Sequence, residues 1–130
     1  MAFLKRERPD LSGLRVLVVE DMMLVAEDIS QELGSCGCDV VGPAGRLEEG
    51  LGLARDEPLD GAVLDVNLGG EYCFPIAAML RSRAVPFVFL TGYSEAGAFP
   101  PEFHGTPRIT KPFDSAELVA IVGRQFRKPA

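Results

Sequence analysis

The chain has 130 residues, 47% of them hydrophobic, which supports one compact domain with a core and is too short for two. Its 13 basic and 19 acidic residues leave a formal net charge of -6, so the overall field opposes direct contact with nucleic acid. The opening MAFLKRERPDLSGL is charged where a signal peptide is apolar, and no apolar run approaches the roughly 18 residues of a membrane span, which points to a cytoplasmic protein without a membrane anchor.

In chain order, residues 1–13 read as an N-terminal tail, 14–127 as the domain and 128–130 as a C-terminal tail. The run LRVLVVE (14–20) is nearly continuous in apolar, β-branched residues, as a strand buried on both faces should be, and it ends in the acidic pair Glu20 and Asp21. A helix is expected next, starting at Met22 and Met23: Met22, Val25, Ile29 and Leu33 recur at spacings of three and four, with Gly34 as the stop. A second strand, CDVVG (38–42), precedes a weaker helix over 45–57, where Leu47, Leu51 and Ala54 keep the period despite two internal glycines. The three cysteines, Cys36, Cys38 and Cys73, lack CxxC spacing and read as ordinary reduced thiols.

The third strand, DGAVLD (60–65), ends at Asp65, and NLGG opens the loop behind it. A helix over 71–84 places Pro75 in its first turn, with Tyr72 and Phe74 covering the sheet. The fourth strand, PFVFLT (86–91), ends at Thr91. Residues 92–107 hold three glycines and three prolines, so at most a short helix fits around 94–99; the segment is expected to bury little and to be movable, and its lone His104 is given no role. The last strand, RIT (108–110), leads to Lys111, and the closing helix has Asp114 as its cap, Glu117 three residues on, and a stripe of Leu118, Ile121, Val122 and Phe126.

Strand and helix alternating five times predict an α/β fold, a doubly wound parallel sheet with right-handed crossovers and helices on both faces, its fourth helix short or irregular. Such a sheet builds its site at the carboxyl ends of its strands, where Glu20, Asp21, Asp65, Thr91 and Lys111 stand. Three converging carboxylates repel one another unless positive charge intervenes, and hard oxygen donors suit Mg²⁺, with Lys111 as a second, fixed cation. An ionised carboxylate needs no base to act as nucleophile toward a phosphoryl group. Asp65, alone at its strand end, is the candidate nucleophile, and Glu20 with Asp21 is better suited to hold metal.

The set VVED (18–21), VLDVNLGG (63–70), FLTGY (89–93) and TKPF (110–113) resembles the receiver domain of two-component response regulators across residues 14–127, with the flavodoxin-like fold that implies. The resemblance implies that a histidine kinase or histidine phosphotransfer protein phosphorylates Asp65. It implies Mg²⁺ on the Asp21 and Asp65 side chains and the Asn67 main-chain carbonyl, with Glu20 acting through water, and Thr91 and Lys111 on phosphoryl oxygens. It also implies a cis peptide between Lys111 and Pro112. Two positions modify the pattern. Arg108 stands three before the lysine, where many receivers place a switching aromatic, and Tyr93 gives FLTGY a likeness to the FATGUY motif of stand-alone receivers, where it is expected to restrict water at the phosphoryl group. Because only RKPA follows the final helix, output is expected through a downstream protein target or a phosphorelay, from a monomer or weak dimer, with no chemistry beyond self-phosphorylation and dephosphorylation. A Mg²⁺-dependent aspartyl-phosphate phosphatase of the haloacid dehalogenase type is the alternative, although that class carries DxD on its first strand, whereas DVN lies on the third and lacks the second acid. A receiver-like scaffold that is never phosphorylated, or a receiver cut from a longer regulator, completes the set.

Overall fold

The computed structural model describes residues 8–127. Of the expected tails, residues 1–7 and 128–130 lie outside the described residues. Within them the chain runs β1 (Arg15–Val19), α1 (Met23–Ser35), β2 (Asp39–Ala44), α2 (Leu47–Asp56), β3 (Gly61–Asp65), β4 (Asn67–Leu68), β5 (Glu71–Tyr72), α3 (Phe74–Ser82), β6 (Phe87–Thr91), β7 (Arg108–Thr110) and α4 (Ser115–Phe126). Two 3-10 turns, Tyr93–Glu95 and Pro101–Phe103, lie between β6 and β7. The main sheet is parallel, in the order β2-β1-β3-β6-β7.

The central strands are buried on both faces because each alternates between two cores. Val16, Val18, Val63, Val88 and Leu90 join Ile29 and Leu33 of α1 and Leu118, Val122 and Phe126 of α4. Leu17, Val19, Leu64, Phe87 and Phe89 join Ala54 of α2 and Ile76, Ala77 and Leu80 of α3. The doubly wound architecture expected from the sequence is therefore the one observed. Asp114 caps α4, its Oδ1 accepting the Glu117 amide at 2.8 Å, and Pro75 falls in the first turn of α3. The three cysteines are free and buried.

Several local expectations are corrected. Residues 8–13 are not a loose tail: Leu11 is fully buried in the α1/α4 core, its amide donating to the Cys36 carbonyl at 2.8 Å, and Arg8 pairs with Glu32 at 2.6 Å. Helix α1 passes Gly34; Gly37, at φ +94°, is the left-handed stop, with the Cys38 amide reaching back to the Leu33 carbonyl. Strand β2 continues through Pro43 to Ala44, which an edge strand permits, and its register against β1 shifts between Leu17 and Val19. Glu71 and Tyr72, expected to open α3, instead form β5, which pairs antiparallel with β4 across a turn at Gly69 and Gly70 (φ +65° and +103°), and Tyr72 is 46% exposed instead of covering the sheet. Among the described residues no helix is long and apolar enough to cross a membrane.

The segment 92–107 departs furthest from expectation. It contains no α-helix, yet it does not bury little: Phe99 and Phe103 are both in the core, 5.1 and 5.7 Å from the Phe89 ring and 5.6 and 5.8 Å from Phe74. His104 Nε2 lies 2.9 Å from the Phe99 carbonyl and ties the two anchors together, a structural role the sequence did not disclose.

Candidate functional site

Strand β1 runs out at Val19 and β3 at Asp65, and as parallel neighbours they deliver Glu20, Asp21 and Asp65 to the same edge of the sheet. One ligand oxygen from each of the three carboxylates lies within 4.8 Å of the others. Glu20 is 1% exposed; its Oε2 accepts the Met22 amide at 3.1 Å. Lys111, carried in by the end of β7, sets its Nζ 2.7 Å from Glu20 Oε1 and 3.5 Å from Asp65 Oδ1. The Lys111–Pro112 peptide is cis, as the resemblance implied.

The electrostatics of the cleft follow from this crowding. Burial, and then the neighbouring Glu20 and Asp21 carboxylates, push the Asp65 carboxyl up to about 8, while Lys111 pulls the other way. Partial burial works against the Asp21 carboxylate, but its bonds with Asp65 and Glu20 leave it below the usual range. Burial likewise opposes the charge on Lys111, and Glu20 and Asp65 more than offset it. One lysine does not satisfy three acids: Glu20 Oε1, although ion-paired, is a buried oxygen without an aligned hydrogen bond. An acid held partly protonated by its neighbours, beside an under-satisfied carboxylate oxygen, is a donor set that fits a hard divalent cation.

The remaining expected residues are distributed differently. Asn67 lines the cleft with Asp21, Asp65 and Lys111, its side-chain Oδ1 held by the Gly70 amide at 2.7 Å. Thr91 is buried at the end of β6, but its hydroxyl donates to the Gly92 carbonyl at 3.1 Å. Tyr93 is 84% exposed and does not line the cleft, so the shielding expected of it is absent from this conformation; the 3-10 turn sends it outward and brings Glu95 to the cleft instead. Arg108 pairs with Phe89 in the sheet register, and its guanidinium lies 3.7 Å from the centroid of the Phe99 ring. Pro112 lies beside Lys111 in a groove between α1 and α4, outside the carboxylate cleft. Glu95 is the residue that sequence reasoning missed, although Gly92-x-x-Glu95 has the spacing of a capping box.

The family model for the response regulator receiver domain matches residues 16–123. The chain belongs to that family. Relatives agree. The sensory transduction protein LytT of Bacillus subtilis (strain 168) is 32% identical over 108 residues, covering 81% of this chain and 45% of LytT. The solution structure of SdrG from Sphingomonas melonis Fr1 superposes with a TM-score of 0.72 at 36% identity, covering 83% of this chain and 91% of the SdrG chain. The receiver domain of sensor histidine kinase PA1611 from Pseudomonas aeruginosa PAO1, which has a magnesium ion coordinated in its active site cleft, superposes with a TM-score of 0.76 at 25% identity, covering 88% and 98% of the two chains. The receiver spans about half the length of the curated relatives it matches. Its place is in two-component signalling.

Proposed function

We propose that this receiver accepts a phosphoryl group on Asp65 from a histidine kinase or a histidine phosphotransfer protein, and that it acts as a stand-alone response regulator. The observation that carries this reading is the convergence of Glu20, Asp21 and Asp65 on Lys111. A carboxylate oxygen of Asp65 attacks phosphorus; the new P–O bond forms as the bond from phosphorus to the donor's imidazole nitrogen breaks, and that nitrogen leaves with the electron pair. Asp21, Asp65 and the Asn67 carbonyl are the groups that would hold Mg²⁺, with Glu20 acting through water. When bound, Mg²⁺ supplies the positive charge that keeps Asp65 ionised and offsets charge on the transferring oxygens.

Lys111 is already poised between Glu20 and Asp65 and can follow a phosphoryl oxygen as a point charge. Thr91 serves as a donor once its hydroxyl turns from the Gly92 carbonyl. The exposed Met22, Met23 and Leu24, at 59%, 74% and 76%, form an apolar rim beside Asp21 suited to the phosphodonor protein. Arg108 replaces a swinging aromatic with a cation seated on Phe99, so the signal is read at the β6–β7 connection through that contact. Incubation with acetyl phosphate tests the reaction class: a stable adduct that needs Mg²⁺ and is blocked by chelator supports the switch. Steady release of inorganic phosphate without adduct would make the protein a phosphatase.

A further inference from the structure

We propose that Glu95 competes with the phosphoryl group for the Gly92 amide, so that its carboxylate must leave the cleft when Asp65 is modified. The inference rests on Asp65 being the phosphoacceptor. Gly92 and Glu95 line the same cleft as Asp65 and Lys111, and the parallel register that sets Asp65 against Leu90 puts Gly92 just beyond it. The Gly92 amide donates to Glu95 Oε1 at 2.8 Å, and Ser94 Oγ donates to Oε2 at 3.1 Å. A phosphoryl group on Asp65 brings three acceptor oxygens and negative charge, and the strongest donors for it are charged or backbone N–H groups facing the cleft. The donors on this wall are Lys111 Nζ, the Thr91 hydroxyl and the Gly92 amide, and the last two are engaged locally, by the Gly92 carbonyl and by Glu95.

Glu95 thus occupies one donor with the kind of group that would displace it, a carboxylate for a phosphoryl oxygen. Among the described residues no cation forms an ion pair with Glu95, so the Gly92 amide and the Ser94 hydroxyl are what hold its carboxylate in the cleft. The seat is close: a Cβ on Gly92 would lie 3.4 Å from Glu95 Oε1. Release has a bounded consequence. The turn that Glu95 closes is otherwise held by the Glu95 amide to the Gly92 carbonyl at 3.2 Å, the Ala96 amide to the Tyr93 carbonyl at 3.3 Å and the Ala98 amide to the Glu95 carbonyl at 3.0 Å, whereas Phe99 and Phe103 anchor residues 99–107. Displacement of the Glu95 carboxylate therefore loosens residues 92–98 and leaves the rest of the connection in place.

The test is beryllofluoride titration in saturating Mg²⁺, read from the Gly92 and Tyr93 amide signals by NMR, on wild type, Glu95→Gln, Glu95→Ala and Asp65→Asn. Glu95→Gln removes the charge but keeps an acceptor; Glu95→Ala removes both. Binding is expected to tighten roughly threefold in the first and tenfold in the second, the scale of one hydrogen bond, with Mg²⁺ affinity unchanged. Equal beryllofluoride affinities in folded variants overturn the competition alone. Weaker Mg²⁺ binding in both variants would make Glu95 a metal ligand and also overturns it. A wild type that gives no response, or an Asp65→Asn variant that responds equally, overturns the phosphoacceptor reading and this inference with it.

Discussion

Lys111 answers two carboxylates at once, at 2.7 Å from Glu20 and 3.5 Å from Asp65, and this sets what its removal should do. In Lys111→Ala the cleft loses its fixed cation, so Mg²⁺ should bind about tenfold tighter by calorimetry while labelling by acetyl phosphate slows. Mg²⁺ affinity that stays the same would show that the lysine charge is not felt at the carboxylates. Glu20, Asp21 and Asp65 were legible because each is an acid at the end of an otherwise apolar strand, and Lys111 because it follows the last strand, positions whose location the fold itself dictates. Tyr93 and Glu95 were not legible in the same way. They are two residues apart on one 3-10 turn, and which of them faces the cleft depends on the turn's handed path, not on nearness to Thr91 in the chain.

At the level of elements, the β6–β7 connection is two pieces with different anchorage. Residues 92–98 rest on three backbone hydrogen bonds and the Glu95 side chain, with no residue in the core, whereas 99–107 is fixed by Phe99, Phe103 and the hydrogen bond between His104 and the Phe99 carbonyl. Arg81 adds to the second piece, its guanidinium 4.7 Å from the Phe103 centroid and donating to the Glu102 carbonyl at 2.7 Å. Arg108→Ala should lower amide-exchange protection at Phe103 and His104 by about 1 kcal/mol, the scale of one partly buried cation–π contact, and leave the β1–β3 ladder unchanged. Protection that does not change there would remove Arg108 from the switch. A second element-level test is steric: a Cβ on Gly61 would meet the Phe126 ring at 2.3 Å, so Gly61→Ala should cost about 1–3 kcal/mol in urea unfolding. Sequence periodicity identified α1 and α4 but not the Phe99 and Phe103 anchors, because two aromatics amid glycines and prolines match neither a helix nor a strand period. The β4–β5 hairpin escaped for a related reason: two-residue strands are too short to show alternation.

Across the whole molecule, the alternation of five apolar runs with amphipathic segments was sufficient for a doubly wound sheet, since parallel neighbours need long crossovers and right-handed ones leave few topologies. That sheet buries its thiols, with a consequence for stability. Burial, and next the Asp39 charge, push the Cys38 thiol up to about 11 from an ordinary 9.0, and burial with the Asp65 charge pushes Cys73 up as well. The unfolded chain therefore loses these protons first, so the stability is fully present below about pH 9 and falls as pH rises toward 11. Urea midpoints measured from about pH 7 to about pH 10 should fall, less steeply in Cys38→Ala; an identical slope in that variant would contradict the assignment. The proposed signalling chemistry turns on one carboxylate, Asp65. Intact-mass spectrometry after acetyl phosphate and Mg²⁺ is predicted to show one added phosphoryl group on the wild type and none on Asp65→Asn; an equal adduct on both, or none on the wild type, would contradict it.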